Sequence, residues 1–278
     1  MLKLFFEVCF MMFSKGVLTF CFLAALTFFV CGCDESVKSE PEEQSCPMMA
    51  DGFSLKKGAS LPKTPAIDYE PVVKDIEGWT VNVDPLMLKG PHAVEGAKAL
   101  KMLANHLQRI AILMPEKQLA QMQKLQVWLN HDHPKLNGMQ YHPSEQWLKN
   151  NGHDTRLVKM VHITKADLLL SKHHMFKHPA VVLHELAHSY HDQVLGHDDF
   201  RIIDAYNKAM AKGIYRKVLI YNGKTVHHYG ARDIYEYFAE ATEAYFYCND
   251  HYPFVAAELK LHDPVLFDIM VEVWGPLK

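Results

Sequence analysis

Residues 184–188 are His184-Glu185-Leu186-Ala187-His188, within a segment from Ala180 to Leu195 that contains no helix breaker. Pro179 suits the first turn of such a helix, and Gly196 follows its end. Helix positions i and i+4 lie one above the other, so both imidazoles can bind one metal ion. The intervening glutamate, next to the first ligand, can take a proton from water at that ion. The segment therefore predicts a helix that carries a metal centre.

A hydrolytic zinc ion needs a third protein ligand. His191 lies seven residues after His184, which is roughly 10 Å further along a helix, so an unbroken helix cannot bring both to one ion. Metzincins solve this problem with a glycine turn and a third histidine, but His191 and Val194 occupy those two places here. The remaining option is a ligand from a second helix.

Residues 235–243, YEYFAEATE, place three glutamates along one helical stripe amid aromatic side chains. We predict that Glu236 binds zinc through oxygen. Glu240, one turn later, is predicted to accept a hydrogen bond from the far nitrogen of a zinc-bound histidine. Glu243 is assigned no role. Two histidines and one glutamate leave a fourth position for water, as hydrolytic zinc requires.

These motifs resemble those of the gluzincin metallopeptidases. Tyr229-Gly230 followed by EYFAE at residues 236–240 is similar to the protease domain of anthrax lethal factor. A broader resemblance, over roughly Asp68 to Lys278, is to little-characterised secreted bacterial and fungal metallopeptidases with segments like YHPSEQWLKNNG, VLHELAHSYHDQVLG, EYFAEATEAYF and NDHYPFVAAELK. The resemblance implies a zincin-like fold, a Zn²⁺ cofactor and a peptide or protein substrate. The other domains of lethal factor have no counterpart in this chain, so no toxin role is implied.

The resemblance also implies a role for Tyr229. Its phenol would donate a hydrogen bond to the oxyanion that forms when water attacks a peptide carbonyl. His227 and His228 remain alternatives for this role, because an imidazolium can donate the same hydrogen bond.

The hydrophobic patterns predict an α+β fold. We expect a small twisted sheet beside the active-site helix, and a more helical C-terminal lobe. The predicted strands are Trp79–Val83, Gln126–Leu129 and Leu157–Ile163, and the predicted helices are 93–113, 116–125, 143–148 and 234–246, the last with Asp233 as N-cap. Lys159 interrupts the apolar face of the third strand, which favours an edge strand that could pair with an extended substrate backbone.

The N-terminal region has the pattern of an export signal over residues 1–33. Lys15 precedes an uncharged run, Val17–Val30, shorter than the roughly 17–25 residues of a spanning helix. Gly32-Cys33 resembles a bacterial lipoprotein processing site, which predicts a lipid anchor on Cys33. A permanent transmembrane anchor is the alternative. Residues 34–66 are predicted to be a flexible tether, residues 67–278 the metallopeptidase domain, and the protein to be secreted or held at the cell envelope.

The composition excludes two classes of protein. With 49% apolar residues, 22% charged residues and a formal net charge of −3, the chain is neither a disordered tail nor a polybasic nucleic-acid binder. Outside the signal, Cys46 and Cys248 are too isolated for a thiolate metal site, and whether they pair is left open. A non-catalytic zinc-containing binding lipoprotein and a zinc hydrolase of a non-peptide amide remain the rival functions.

Overall fold

The described residues contain a five-stranded mixed sheet. The computed structural model describes residues 67–277, which belong to one compact unit. The strands are β1 (Val72–Ile76), β2 (Trp79–Val83), β3 (Gln126–Leu129), β4 (Met139–Tyr141) and β5 (Met160–Ile163), with β6 (Val218–Leu219) and β7 (Thr225–Val226) forming a separate hairpin. The predictions for the signal segment, the tether, Cys33 and Cys46 lie outside the described residues.

The order of strands in the sheet is β1-β2-β3-β5-β4. The β1–β2 hairpin is antiparallel, β2, β3 and β5 are mutually parallel, and β4 runs antiparallel to β5. The general α+β prediction is confirmed: a small mixed sheet packs against helices, and the second half of the described residues is mainly helical.

The edge-strand prediction for Leu157–Ile163 is wrong. Its first residue, Leu157, ends a 3-10 turn, Thr155–Leu157, and Lys159 adopts a left-handed backbone with φ 61°. The strand therefore begins only at Met160, beyond the lysine that interrupted the apolar face. β5 is buried between β3 and β4, and β4 provides the free edge of the sheet at that end.

The described residues contain ten α-helices. They are α1 (Ala93–Leu113), α2 (Glu116–Met122), α3 (Glu145–Asn150), α4 (Ala166–Leu170), α5 (Lys172–Lys177), α6 (Val181–Tyr190), α7 (Phe200–Lys212), α8 (Ile234–Phe246), α9 (Ala256–His262) and α10 (Pro264–Trp274). Helices α1 and α8 have the predicted bounds, α2 ends before its predicted end, α3 is displaced towards the C-terminus, and no individual prediction was made for α4, α5, α7, α9 and α10. Within residues 67–277, none combines the length and apolar character needed to cross a lipid bilayer.

Helix α6 is buried at the centre of the domain. It packs against α8, α1, β4 and β5, and Leu186 and Ala187 in its middle are fully buried. Phe238 of α8 and Trp274 of α10 complete this core with stacked rings 5.8 Å apart. Each fully buried large apolar side chain stabilises the fold by about 1.5–3 kcal/mol. The two helices predicted to carry the metal ligands are thus held against each other by the main core.

Candidate metal centre

Three predicted ligands converge between α6 and α8. His184 and His188 lie one turn apart on α6, and Glu236 lies in the first turn of α8. The Nε2 atoms of the two histidines are 3.0 Å apart, and Glu236 Oε2 is 3.1 Å from His184 Nε2 and 3.3 Å from His188 Nε2. A tetrahedral zinc ion with bonds of about 2.0–2.1 Å would separate its ligand atoms by about 3.3 Å. The geometry therefore fits one ion held by two nitrogens and one oxygen.

The N-terminal cap of α8 positions Glu236. Asp233 Oδ1 accepts hydrogen bonds from the backbone N–H groups of Tyr235 and Glu236, each at 2.9 Å. These bonds satisfy two donors that the helix itself leaves unpaired. They also begin the helix at a defined residue, which sets the direction in which Glu236 projects.

The hydrogen bonds of His184 determine its tautomer, that is, which ring nitrogen carries the proton and which has a lone pair. Its Nδ1 atom lies 2.6 Å from Glu243 Oε1, and a carboxylate can only accept, so the proton belongs on Nδ1. Nε2 then offers a lone pair to the position shared with His188 and Glu236. These three atoms at such short separations can surround one cation, and the donor set is one that zinc uses.

The electrostatics of the cluster point in the same direction. Burial opposes charging of His184, but its hydrogen bonds to Glu236 and Glu243 outweigh burial and raise the pKa of the imidazole well above its usual value. Burial likewise opposes charging of Glu236, yet the two neighbouring histidines hold the pKa of this carboxyl well below its usual value. The cluster thus stabilises a positive charge at its centre, which a bound metal ion would supply.

The hydrogen bond that the sequence predicted for Glu240 is made by Glu243 instead. Glu240 Oε1 is 3.8 Å from His184 Nδ1, beyond hydrogen-bonding distance. Glu243 follows Glu236 by almost two full turns, whereas Glu240 is rotated by about 40° around the helix. The imidazole ring of His184 therefore lies between two carboxylates on one side of α8, with Nδ1 next to Glu243 and Nε2 next to Glu236. The predicted stripe contained Glu243, but helical spacing alone did not distinguish it from Glu240.

Glu185 lines the cavity beside the ligand cluster. Its side chain is largely buried, and burial is the main cause that raises the pKa of this carboxyl. A carboxylate with a raised pKa is a stronger base than an ordinary one, which suits a group that must accept a proton.

Of the three candidates for the oxyanion donor, two line the cavity. Tyr229 and His227 line it, but His228 does not. His228 is buried and its Nδ1 accepts a hydrogen bond from Gly230 N at 2.8 Å. The phenol oxygen of Tyr229 accepts a hydrogen bond from Arg232 Nη1 at 3.1 Å, which leaves its own proton available for a ligand.

The cavity itself has a volume of about 380 Å³. It is lined by α6, by the three glutamates of α8, by β4 with Met139 and Tyr141, by the β6–β7 hairpin with Ile220 and Val226, and by residues of α5 and of the segment after α8. The Tyr141 hydroxyl donates to the Asp192 carboxylate, just after α6, and Lys159 Nζ lies 2.5 Å from the same carboxylate. This network joins the free sheet edge to the helix that carries the histidines.

The segment after α6 explains the position of His191. Residues His191–Leu195 form a π-helical turn, a feature frequent at functional sites. The imidazole of His191 is buried against the rings of Tyr235 and Phe238 at 5.4 and 5.0 Å. It is not part of the ligand cluster, in agreement with the helical-spacing argument.

Two polar residues that the sequence did not single out line the same cavity. Asp250 and His251 lie in the segment after α8 and line the cavity together with Glu240. Burial, followed by the charges of Glu243 and Asp250, raises the pKa of Glu240 well above its usual value. The sequence signal was Asn249-Asp250-His251 immediately after the glutamate helix.

No family model, curated protein sequence or solved structure matches this chain. The resemblance to gluzincins therefore rests on the motif residues of the sequence.

Proposed function

We propose that this protein is a zinc-dependent metallopeptidase with a zincin-like domain of the gluzincin type. The observation that carries the proposal is the convergence of His184 Nε2, His188 Nε2 and Glu236 Oε2 within 3.0–3.3 Å of one another at a cavity wall. When bound, zinc supplies Lewis acidity: it polarises a carbonyl group and lowers the pKa of water towards about 7.

Three further residues have distinct roles in the proposed hydrolysis. Glu185 accepts the proton of the attacking water and passes it to the nitrogen of the leaving amine, so the proton count balances over the reaction. Tyr229 donates a hydrogen bond to the negative charge that develops on the carbonyl oxygen. Glu243 accepts the hydrogen bond from Nδ1–H of His184. This bond fixes the tautomer of the imidazole and increases the basicity of its Nε2 atom.

The free edge of the sheet favours an extended peptide over a small amide as substrate. His142 N bonds Met160 O across the β4–β5 pair, so the period-two alternation turns the backbone polar groups of Met139 away from β5. Met139 lines the cavity. A substrate backbone can add to this edge as a further strand, which is a recurring mode of peptide binding.

The test is metal analysis together with cleavage of a mixed peptide library by the wild-type protein and two variants. Glu185→Gln keeps every ligand and removes only the base, so zinc stays stoichiometric while cleavage falls by roughly 10²–10⁴-fold. Glu145→Gln, an exposed carboxylate on α3 paired with Lys149, is the matched control and retains wild-type cleavage.

The outcomes separate the rival functions. Stoichiometric zinc without cleavage of any library peptide favours the binding lipoprotein, and hydrolysis confined to non-peptide amides favours the amidase. Near wild-type turnover by Glu185→Gln would remove this residue from the mechanism.

A further inference from the structure

A second group of side chains with metal-binding atoms lies at the start of helix α1. This group, here called the α1 cluster, consists of His92, Glu95 and His131. His131 Nε2 lies 3.0 Å from Glu95 Oε2, and His92 Nδ1 lies 4.0 Å from the same oxygen. One ligand atom from each residue lies within 4.8 Å of the other two. The proposed hydrolysis uses none of these side chains.

The α1 cluster lies where two parallel strands of the sheet end. Strands β2 and β3 are parallel neighbours, Asp84 follows β2, and His131 comes two residues after the end of β3. The backbone of His131 is held from both sides: its N–H group donates to Asp84 Oδ2 at 3.1 Å, and its carbonyl oxygen accepts from Ala166 N at 2.9 Å. Ligands of open α/β sheets commonly bind beyond the carboxyl ends of parallel strands, so the cluster occupies a favourable position for a ligand.

The first turn of α1 is fixed against the chain that follows β2. Gly96 packs so closely on Met87 that a Cβ atom at this position would lie 2.1 Å from Met87 O. His92 O accepts a hydrogen bond from Gly96 N at 2.8 Å, which makes His92 the N-cap residue of α1. Within residues 67–277, its imidazole forms no capping hydrogen bond to the first turn, although such bonds are the usual function of an N-cap side chain. The ring lies against His131 instead, with the two ring centroids 3.8 Å apart.

The donor set of the α1 cluster is the same as that of the ligand cluster. Two imidazole nitrogens and one carboxylate oxygen are a combination that zinc binds. His131 Nε2 donates to the Glu95 carboxylate in the hydrogen bond between them, because a carboxylate can only accept. A neutral imidazole can carry its proton on Nδ1 instead. Nε2 of His131 then has a lone pair for a metal ion, next to a carboxylate that compensates the charge of the ion.

Binding of an ion requires the movement of one exposed side chain. The ligand atoms of a tetrahedral zinc ion are about 3.3 Å apart, which is between the 3.0 and 4.0 Å distances to Glu95 Oε2. The side chain of His92 is 40% exposed, whereas that of His131 is 17% exposed. The His92 ring can therefore rotate away from the His131 ring while both backbones stay in place. The same exposure, together with the partial positive charge at the N-terminus of α1, makes binding weaker than at the buried ligand cluster.

We propose that the α1 cluster is a second metal site, which binds one Zn²⁺ or a similar divalent transition-metal ion. The ion links the start of α1 to the segment after β3, two parts of the chain that are 36 residues apart. Because α1 packs against α6, this link stabilises the core that supports the ligand cluster. The inference does not depend on the proposed function.

The experiment is equilibrium dialysis of the metal-free full chain against increasing concentrations of Zn²⁺. Two equivalents per chain are expected, and a weak chelator should remove the second while the ion of the ligand cluster remains bound. The second equivalent should also raise the urea concentration at the midpoint of unfolding, because an ion that binds only the folded state stabilises it.

Two variants remove ligands of the α1 cluster and leave the ligand cluster intact. His131→Gln removes the ligand nitrogen, although the glutamine amide can still donate a hydrogen bond to Glu95. Glu95→Gln removes the charged ligand. Each should weaken the second equivalent by more than the about 10–100-fold that loss of an outer partner of a ligand costs. His173→Gln, at an exposed histidine on α5, is the matched control and should keep both equivalents.

The same zinc stoichiometry and affinity in the wild type, His131→Gln and Glu95→Gln overturn the inference, whatever the number of equivalents. Loss of the second equivalent in His173→Gln also overturns it, because scattered surface histidines would then hold the ion. Glu236→Ala should lose only the first equivalent. One equivalent that only Glu236→Ala removes contradicts the inference alone, whereas one equivalent that only His131→Gln and Glu95→Gln remove contradicts the proposed function alone.

Discussion

At the scale of single residues, the Nδ1 proton of His184 determines what the other side of the ring can bind. Glu243 Oε1 accepts a hydrogen bond from this N–H group over an N–O distance of 2.6 Å, although the sequence provided no reason to prefer it to Glu240. Which glutamate of a helical stripe meets a given ring nitrogen depends on how two helices cross, and this angle is a tertiary property. Helical spacing in the sequence identified the face of α8 that meets His184, but not which glutamate on that face accepts the hydrogen bond from Nδ1.

The ordering of three glutamate variants tests these assignments. Glu236→Ala removes a proposed zinc ligand and is expected to lose the zinc ion of the ligand cluster outright. Glu243→Ala removes only the acceptor of the Nδ1 proton, so zinc affinity falls by about 10–100-fold. Glu240→Ala, whose oxygen is 3.8 Å from the ring, should change zinc affinity less than Glu243→Ala does. Competitive zinc titration with a chelating dye measures all three, and a larger effect at Glu240 than at Glu243 would reverse the assignment.

The phenol of Tyr229 is tested by removing one oxygen atom. Tyr229→Phe keeps the ring in the cavity wall and leaves the metal ligands untouched. It is expected to keep stoichiometric zinc and lose roughly 10²–10³ in kcat, as when one oxyanion donor is deleted. His227→Gln, at the other candidate that lines the cavity, is the comparison. A larger loss of kcat in His227→Gln than in Tyr229→Phe would transfer the role to the imidazole.

At the scale of elements, local signals predicted some segments well and others poorly. Helix α8 begins and ends where the sequence placed it because Asp233 provides a cap and the apolar period is unbroken. The run Leu157–Ile163 was misjudged because a turn and a left-handed residue occupy its first half. The three-residue edge strand β4 carries too short a pattern to be recognised, and only its pairing with β5 defines it.

The N-cap of α8 should affect both stability and the metal site. Asp233→Ala removes the acceptor for two backbone N–H groups, so the free energy of unfolding should fall by about 1 kcal/mol. Zinc affinity should fall as well, because Glu236 lies in the turn that frays. Asp233→Ser restores a capping oxygen and should recover most of both quantities. Urea unfolding and zinc titration measure them, and equal behaviour of the two variants would show that the cap does not position the ligand.

At the scale of the whole molecule, the described residues contain a second group of histidines besides the proposed metal ligands. This four-histidine cluster consists of His133, His142, His153 and His162. His162 Nε2 bonds Asn130 Oδ1 at 2.7 Å, and its Nδ1 lies 3.1 Å from His142 Nε2. Burial lowers the pKa of His133 to about 4 and that of His142 to about 3. Of the 18 histidines in the chain, three members of this cluster, His133, His142 and His162, are thus buried in the domain.

These depressed pKa values predict that the domain loses stability in acid. In the unfolded chain these histidines bind protons near pH 6.5, whereas in the folded chain they remain neutral down to about pH 4 or 3. The unfolded state therefore binds more protons below about pH 6.5, and each histidine lowers the free energy of unfolding by up to about 1.4 kcal/mol for each pH unit that the pH falls.

His133→Asn should reduce the slope of the free energy of unfolding against pH by the contribution of one histidine. The fold should tolerate the change, because the asparagine oxygen can still accept the hydrogen bonds that the Lys135 and Leu136 N–H groups donate to Nδ1. His173→Gln, at an exposed position on α5, is the control. Urea unfolding from pH 7 to pH 4 measures the three slopes, and a His133→Asn slope equal to that of the wild type would show that this ring does not titrate between the two states.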